Sequence, residues 1–282
     1  MVTQRPLLLP RPGTFYSVDA LNPDVVRRGR TYYMFFSGNR EHSPAGLWRT
    51  GVATSRSPLG PFRVHPGLRG AFLNGGTTLW RGQFWQATTH YKYGTVLMSS
   101  RNGLRWRRVA PIPAPPGWPV MADFYLRPRG SALRAYMLVR TNPTTSSGGN
   151  IASMDWIDGK WSRFKALLPP GPLPWENLDL GEPAVFSVPG RELMLYTATA
   201  APEGTRTIGL ARRAASGSWV RCAKRPFIGT GAPWGEAISI DPSVLVEGNR
   251  VYVYYGAGSG KSLASDLGGA IGLNVYRVKN GD

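Results

Sequence analysis

The stretch "NPDVVRRGRTYYMFF" runs from Asn22 to Phe36, and "DPSVLVEGNRVYVYY" runs from Asp241 to Tyr255. Laid one above the other, Pro, Val, Gly and the paired aromatics fall in register without a gap. Each stretch reads as a Val-rich strand, a turn at Gly29 or Gly248, and an aromatic strand returning beside it. Two such matches at opposite ends of one chain mean a repeated unit.

Three further copies lie between them. They are "GGTTLWRGQFWQATT" from Gly75, "DFYLRPRGSALRAYMLV" from Asp123 and "EPAVFSVPGRELMLYTA" from Glu182. The first positions are therefore Asn22, Gly75, Asp123, Glu182 and Asp241, 48 to 59 residues apart. A third strand follows in every copy: "TGVATSRS", "TVLMSSRN", "NIASMDWI", "TIGLARRA" and "AIGLNVYR". A fourth follows in four copies: "PFRVHPG", "LRWRRVA", "KWSRFKAL" and "SWVRCAK". Four short strands at this period are the pattern of a β-propeller blade. The fifth copy ends at "YRVKNGD" without a fourth strand. An open ring would leave a bare edge, so "RPLLLP" (Arg5 to Pro10) is predicted to supply that strand and close the ring. The expectation is an all-β, five-bladed propeller of four-stranded antiparallel blades, a single domain over residues 1–282. A sandwich or solenoid would not explain the missing last strand.

Composition agrees. Among 282 residues there are 35 Gly and 25 Pro, and no long window carries a 3.6-residue apolar period. The formal charge is +18, from 34 basic against 16 acidic residues. That excess reads as a solvated basic surface or as attraction to an anionic polymer such as an acidic glycan. No basic run interleaves with aromatics, so no nucleic-acid partner is expected. One cysteine, Cys222, allows no intrachain disulfide. The start "MVTQRPLLLPRPG" reads as neither a signal peptide nor a membrane span. A monomer is expected, and the sequence does not indicate a compartment.

In a propeller, the first strands line a central channel and equivalent positions converge. Three of the five first positions, Asp123, Glu182 and Asp241, are acidic in a chain poor in acids. Asp19 falls in the loop entering the first blade, and Asp24 lies two residues past Asn22, so strand alternation returns it to the same side. Like charges gathered in a funnel raise one another's pKa. Glycoside hydrolysis uses such sets: one protonated carboxyl donates to the leaving oxygen, and a second activates water or attacks the anomeric carbon. The competing reading is that these acids cap turns or pair with Arg40, Arg127 or Arg140.

In "NPDVV", "MADFYL" and "LGEPAVF", with the strands "TYYMFFSG" and "GVATS", the chain resembles the five-bladed propeller glycosidases. These are the arabinanase and β-xylosidase family (glycoside hydrolase family 43) and the related invertase and levansucrase families. The resemblance implies that Asp123 orients the substrate and tunes the acid, and that Glu182 is the general acid. It also implies a first-blade carboxylate as base or nucleophile, but there the chain has Asn22-Pro23. An amide cannot do that work. Asp19, at the funnel mouth, is the first candidate for the role and Asp24 the alternative.

Further candidates for substrate binding are Asn22, Arg140, Asp241 and His90; the last, in "ATTHY", either points at the channel or is an ordinary turn histidine. Trp118, Trp175 and Trp234 precede blades three, four and five, where rim aromatics stack on sugar rings or pack between blades. Glu176 and Asp179 are read into an entrance loop, where they either shape the pocket or only solvate the loop. No cofactor or catalytic metal is expected, since HExxH and Cys/His clusters are missing; a structural ion could sit in the channel. "GAGSGKS" lacks the spacing of a phosphate loop. The expected function is hydrolysis of a furanoside-containing glycan, arabinan- or arabinoside-like. The alternatives are a non-catalytic carbohydrate-binding propeller and a glycosyltransferring or phosphorolytic enzyme on the same scaffold.

Overall fold

The computed structural model describes residues 6–40, 48–67, 75–90, 92–145, 147–162, 164–201, 204–230, 237–260 and 268–278. Among them there are strands and no α-helix, and no helix is long and apolar enough to cross a membrane.

The strands form successive antiparallel meanders. The first is β1 (Asp19–Arg28), β2 (Thr31–Asn39), β3 (Arg49–Ser55) and β4 (Arg63–Val64). The second is β5 (Thr77–Trp80), β6 (Gln83–His90), β7 (Gly94–Ser100) and β8 (Arg107–Pro111). The third is β9 (Val120–Arg129), β10 (Ala132–Arg140) and β11 (Asn150–Ile157), with its outer strand split into β12 (Lys160–Trp161) and β13 (Lys165–Leu168). The fourth is β14 (Asp179–Val188), β15 (Arg191–Thr199), β16 (Arg206–Arg213) and β17 (Trp219–Arg221). The fifth is β18 (Ile238–Glu247), β19 (Arg250–Gly258) and β20 (Ala270–Arg277), joined to the fourth by the single parallel pair Arg206 and Ile238. The aligned glycines do what the repeat requires. Gly29 and Gly248 take φ of 60° and 58° in two-residue hairpin loops, a conformation that costs other residues strain.

The apolar core lies between meanders. Phe35 and Val52 of the first meet Phe84 of the second. Trp80 and Leu97 meet Leu133 and Met137 of the third, and Tyr136 and Ile151 meet Met194 and Tyr196 of the fourth. Phe186 and Leu195 meet Val253 and Tyr255 of the fifth. Tyr254 and Ile271 of the fifth meet Met34 and Phe36 of the first. Leu8 joins that last cluster. Leu7 and Leu8 donate their N–H groups to the Ile271 carbonyl (2.7 and 3.3 Å), and Ile271 donates back to Leu8 (2.9 Å). This is an isolated bridge to β20 and no continuous ladder; Arg5, where the sequence starts the predicted closing strand, lies outside the described residues.

The first positions of the repeat are not strand starts. Each inner strand of the first, third, fourth and fifth meanders begins three residues earlier and breaks register there. Asn22-Pro23 stand opposite Phe36 alone, Glu182-Pro183 opposite Tyr196, and Asp241-Pro242 opposite Tyr255. Asp123-Phe124 do the same against Met137. These are β-bulges. Pro has no N–H to leave unpaired in the broken ladder. At every bulge the first residue takes the left-handed conformation: φ is 50° at Asn22, 52° at Asp123, 50° at Glu182 and 54° at Asp241. Such backbone costs about 1–3 kcal/mol per residue and is tolerated best by Asn and Asp.

Candidate active site

The four bulges turn Asn22, Asp123, Glu182 and Asp241 toward one another. All four line a pocket of about 260 Å³. The same four line a second, smaller cavity of about 40 Å³ beneath it. They therefore form the ring that separates the two.

The ring is held by a relay of side chains onto backbone amides. Glu182 Oε2 accepts from the Asp241 N–H at 2.8 Å and from the Thr197 hydroxyl. Asp241 Oδ2 accepts from the Asn22 N–H at 3.0 Å, and Asp241 Oδ1 accepts from the Asn22 side-chain amide at 2.9 Å. Asp123 differs: its carboxyl makes no hydrogen bond among the described residues and faces the pocket with Glu182 beside it. Burial, and then the charge on Glu182, push Asp123 up to about 7, against the pull of Arg140 and Arg206. Burial and the charge on Glu182 also hold Asp241 well above its ordinary value. A ring with three carboxyl groups thus retains protons near neutrality.

Cationic groups share the pocket. Arg140 forms a two-pronged pair with Asp179 (3.1 and 2.5 Å), and both line the wall. Arg206 lines it too, without a hydrogen bond or ion pair among the described residues. Trp48 supplies the aromatic surface; the sequence pattern did not single it out, because it stands directly before a third strand and not in a Pro-rich entry loop.

The predicted residues divide accordingly. Asn22, Asp123, Arg140, Glu182 and Asp241 are together in the pocket. Asp19 is not: it is the first residue of β1, 2% exposed, accepting from the Gly269 N–H (2.7 Å) and the Asn39 amide (3.2 Å). Asp179 occupies the matching place on β14 and accepts from the Gly149 N–H at 2.5 Å. Both tie one meander to the next rather than opening a mouth. Asp24 faces only the lower cavity, because the bulge cancels the expected alternation. Its Oδ2 accepts from the Thr77 N–H at 2.5 Å and its Oδ1 from the Ser243 hydroxyl at 3.3 Å. Burial raises it well above the usual carboxylate range, opposed by the Thr77 N–H.

His90 closes β6 as expected but serves a turn: Nδ1 accepts from the Lys92 N–H at 3.0 Å and the ring lies 4.6 Å from that of Tyr93. Burial lowers its pKa, helped by Lys92. Trp118 packs on Phe164, and Trp175 stacks on Tyr196 while donating to the Lys224 carbonyl. Neither lines the pocket. Trp234 lies outside the described residues. Glu176 is wholly buried, bonded by the Tyr196 hydroxyl at 2.8 Å and 2.7 Å from Arg221 in an ion pair of poor hydrogen-bond angle. Among the described residues no group of three His, Cys, Asp or Glu side chains is set to hold a metal ion.

The sequence matches no family model and no curated protein. Solved structures match over nearly the whole chain. A thermostable family-43 glycoside hydrolase aligns at 17% identity over 93% of this chain and 90% of that one, with a TM-score of 0.70. The α-L-arabinofuranosidase of Podospora anserina, in complex with cellotriose, aligns at 12% identity over 95% and 94%, with a TM-score of 0.72. The β-1,2-mannobiose phosphorylase of Listeria innocua, in complex with β-1,2-mannobiose, aligns at 12% identity over 98% and 95%, with a TM-score of 0.74. The chain therefore has the all-β fold of these glycoside-cleaving propellers.

Proposed function

We propose that this chain is a glycoside hydrolase acting on a furanoside-containing glycan, arabinan- or arabinoside-like, in the funnel of a single five-bladed propeller. The blade count is supported by the five apolar clusters that each join neighbouring meanders, the fifth and first included. Closure by the N-terminal segment is supported by the Leu8 bridge to Ile271.

The observation that carries the chemistry is the Asp123–Glu182 pair. Asp123 has no hydrogen-bond partner among the described residues, faces the pocket and is pushed up to about 7 by burial and by Glu182. A carboxyl raised to near neutrality beside a second carboxylate is the arrangement acid–base chemistry uses. The proton sits on Asp123, which donates it to the leaving oxygen as the glycosidic C–O bond breaks. Water adds to the anomeric carbon and gives its proton to a second carboxylate of the ring. Electrostatics thus favour Asp123 as donor, where the family resemblance favours Glu182. A pocket of about 260 Å³ suits one terminal sugar ring, and Trp48 offers it a face to stack on. Neighbours named as arabinofuranosidases support the furanoside.

Asn22 favours a second reading. It stands where a base carboxylate is required, and Arg140 and Arg206 line the same pocket. Phosphate is already a nucleophile and needs no base, so phosphorolysis fits an amide at that station. The experiment is a panel of aryl furanosides and pyranosides, with and without phosphate. Release of free sugar in either buffer supports hydrolysis. Release of sugar 1-phosphate only with phosphate supports phosphorolysis. Sugar binding without any turnover would transfer the chain to the non-catalytic class.

A further inference from the structure

We propose a second binding site, for an acidic polysaccharide, in a groove on the first meander outside the funnel. The groove has a volume of about 950 Å³ and runs between the N-terminal segment, the start of β3 and the outer strand β4. Arg11, Arg40, Arg49, Arg63, His65 and Phe15 line it, and no carboxylate among the described residues does. Elsewhere several arginines find acids: Arg27 pairs with Glu247, Arg127 and Arg213 with Glu192, and Arg134 with Asp155. Among the described residues the guanidinium groups of Arg11, Arg49 and Arg63 form no hydrogen bond or ion pair. The groove thus gathers positive charge around a concavity.

The spacing selects a polymer. Arg49 opens β3, while Arg63 on β4 stands opposite Thr54, five residues further along β3. At the usual rise per residue the two lie about 17 Å apart along the strand. A small anion cannot bridge them, and an extended polyanion can. The chemistry selects a polyuronate among polyanions. Planar carboxylates meet the arginine fork two bonds at a time. The Phe15 ring, held by stacking on Phe36 at 5.6 Å, offers an apolar surface to a sugar ring. The groove also meets the funnel: Trp48 lines the funnel pocket, and the next residue, Arg49, lines the groove. A chain seated in the groove leaves it at the funnel rim. The site stands on this geometry whether or not the funnel cleaves the polymer.

Polygalacturonate is the probe, with binding measured by titration calorimetry at low and high salt. The parent should bind, and binding should weaken steeply with salt. Arg49→Ser with Arg63→Ser should weaken binding at least tenfold at low salt, with an unchanged melting temperature. Asp123→Asn, altered only in the funnel, should bind polygalacturonate like the parent. A double variant that binds like the parent overturns the proposal. So does a parent that binds duplex DNA or anionic phospholipid vesicles as tightly as polygalacturonate, with the same loss in the double variant.

Discussion

Asn22 grips the carboxylate of Asp241 at both oxygens, with its backbone N–H on Oδ2 at 3.0 Å and its side-chain amide on Oδ1 at 2.9 Å. The two residues lie at opposite ends of the sequence, and their contact joins the first and fifth meanders at the bottom of the pocket. The amide that disqualifies Asn22 as a base is thus the donor that lets Asp241 be buried.

Asn22→Asp should therefore weaken the fold more than it helps the chemistry. It exchanges a donor for a second carboxylate facing Asp241. Losing a hydrogen bond to a buried acid costs about 2 kcal/mol, and repulsion adds to this when both groups are ionised. The melting temperature should fall at pH 8 and recover much of the difference at pH 4, where one group carries a proton. An equal deficit at both pH values would mean that charge is not the cause.

Asp123→Asn tests the shifted proton directly. Folding raises Asp123 from its ordinary 3.8 to about 7. An acid raised by folding contributes stability that is complete below about pH 4 and is lost as pH rises through 7. The amide carries no charge to lose. The variant should match the parent near pH 3.5 and exceed it at pH 8 by on the order of 2 kcal/mol, since partial exposure at the pocket screens some of the shift. Denaturant melts at the two pH values measure this. A difference that does not vary with pH would remove the protonated Asp123 from the mechanism.

Glu182→Gln and Asp123→Asn together assign the proton donor. General acid catalysis contributes about 10²–10⁴-fold. With Asp123 as donor, Asp123→Asn should lose about that much on natural glycosides and much less on activated aryl glycosides, which need little protonation. Glu182→Gln should lose activity on both. It should also shift the alkaline limb of kcat/KM to lower pH, because the charge that raises Asp123 is gone. The opposite pattern of leaving-group dependence would return the donor role to Glu182.

The repeat made much of this legible, because it lies in residues that sterics forces to recur. A hairpin glycine such as Gly29 or Gly248 and the X-Pro of three of the four bulges leave a mark in the letters. The bulge itself does not. It moves the site three residues into the strand and cancels the alternation that would have brought Asp24 to the pocket. The missing acid on the second meander also has a steric cause: a Cβ on Gly75 would lie 1.8 Å from the Ala87 carbonyl oxygen. Asp19 was misread for a different reason. A carboxylate that holds a neighbouring backbone N–H looks, in sequence, like one free to meet a substrate. Partner identity is long-range information, 250 residues apart for Asp19 and Gly269, and no local pattern carries it.

Removing residues 1–12 tests whether the N-terminal segment closes the ring. Leu8 is 7% exposed, packs with Tyr252, Tyr254 and Ile271, and exchanges backbone hydrogen bonds with Ile271 of β20. Without the segment, the outer edge of the fifth meander is bare and the cluster between the fifth and first meanders is open to water. Loss of a buried leucine alone costs about 2–5 kcal/mol. At about 2–4 °C per kcal/mol for a chain of this size, the truncated protein should melt about 4–20 °C below the parent. Leu8→Ala should fall in the same direction by less, since it keeps the backbone bonds. The bare edge should also raise the tendency to aggregate, visible as light scattering on heating. A truncated protein that melts with the parent would show that the edge of β20 needs no cover, and the closure by Leu8 would have to be abandoned.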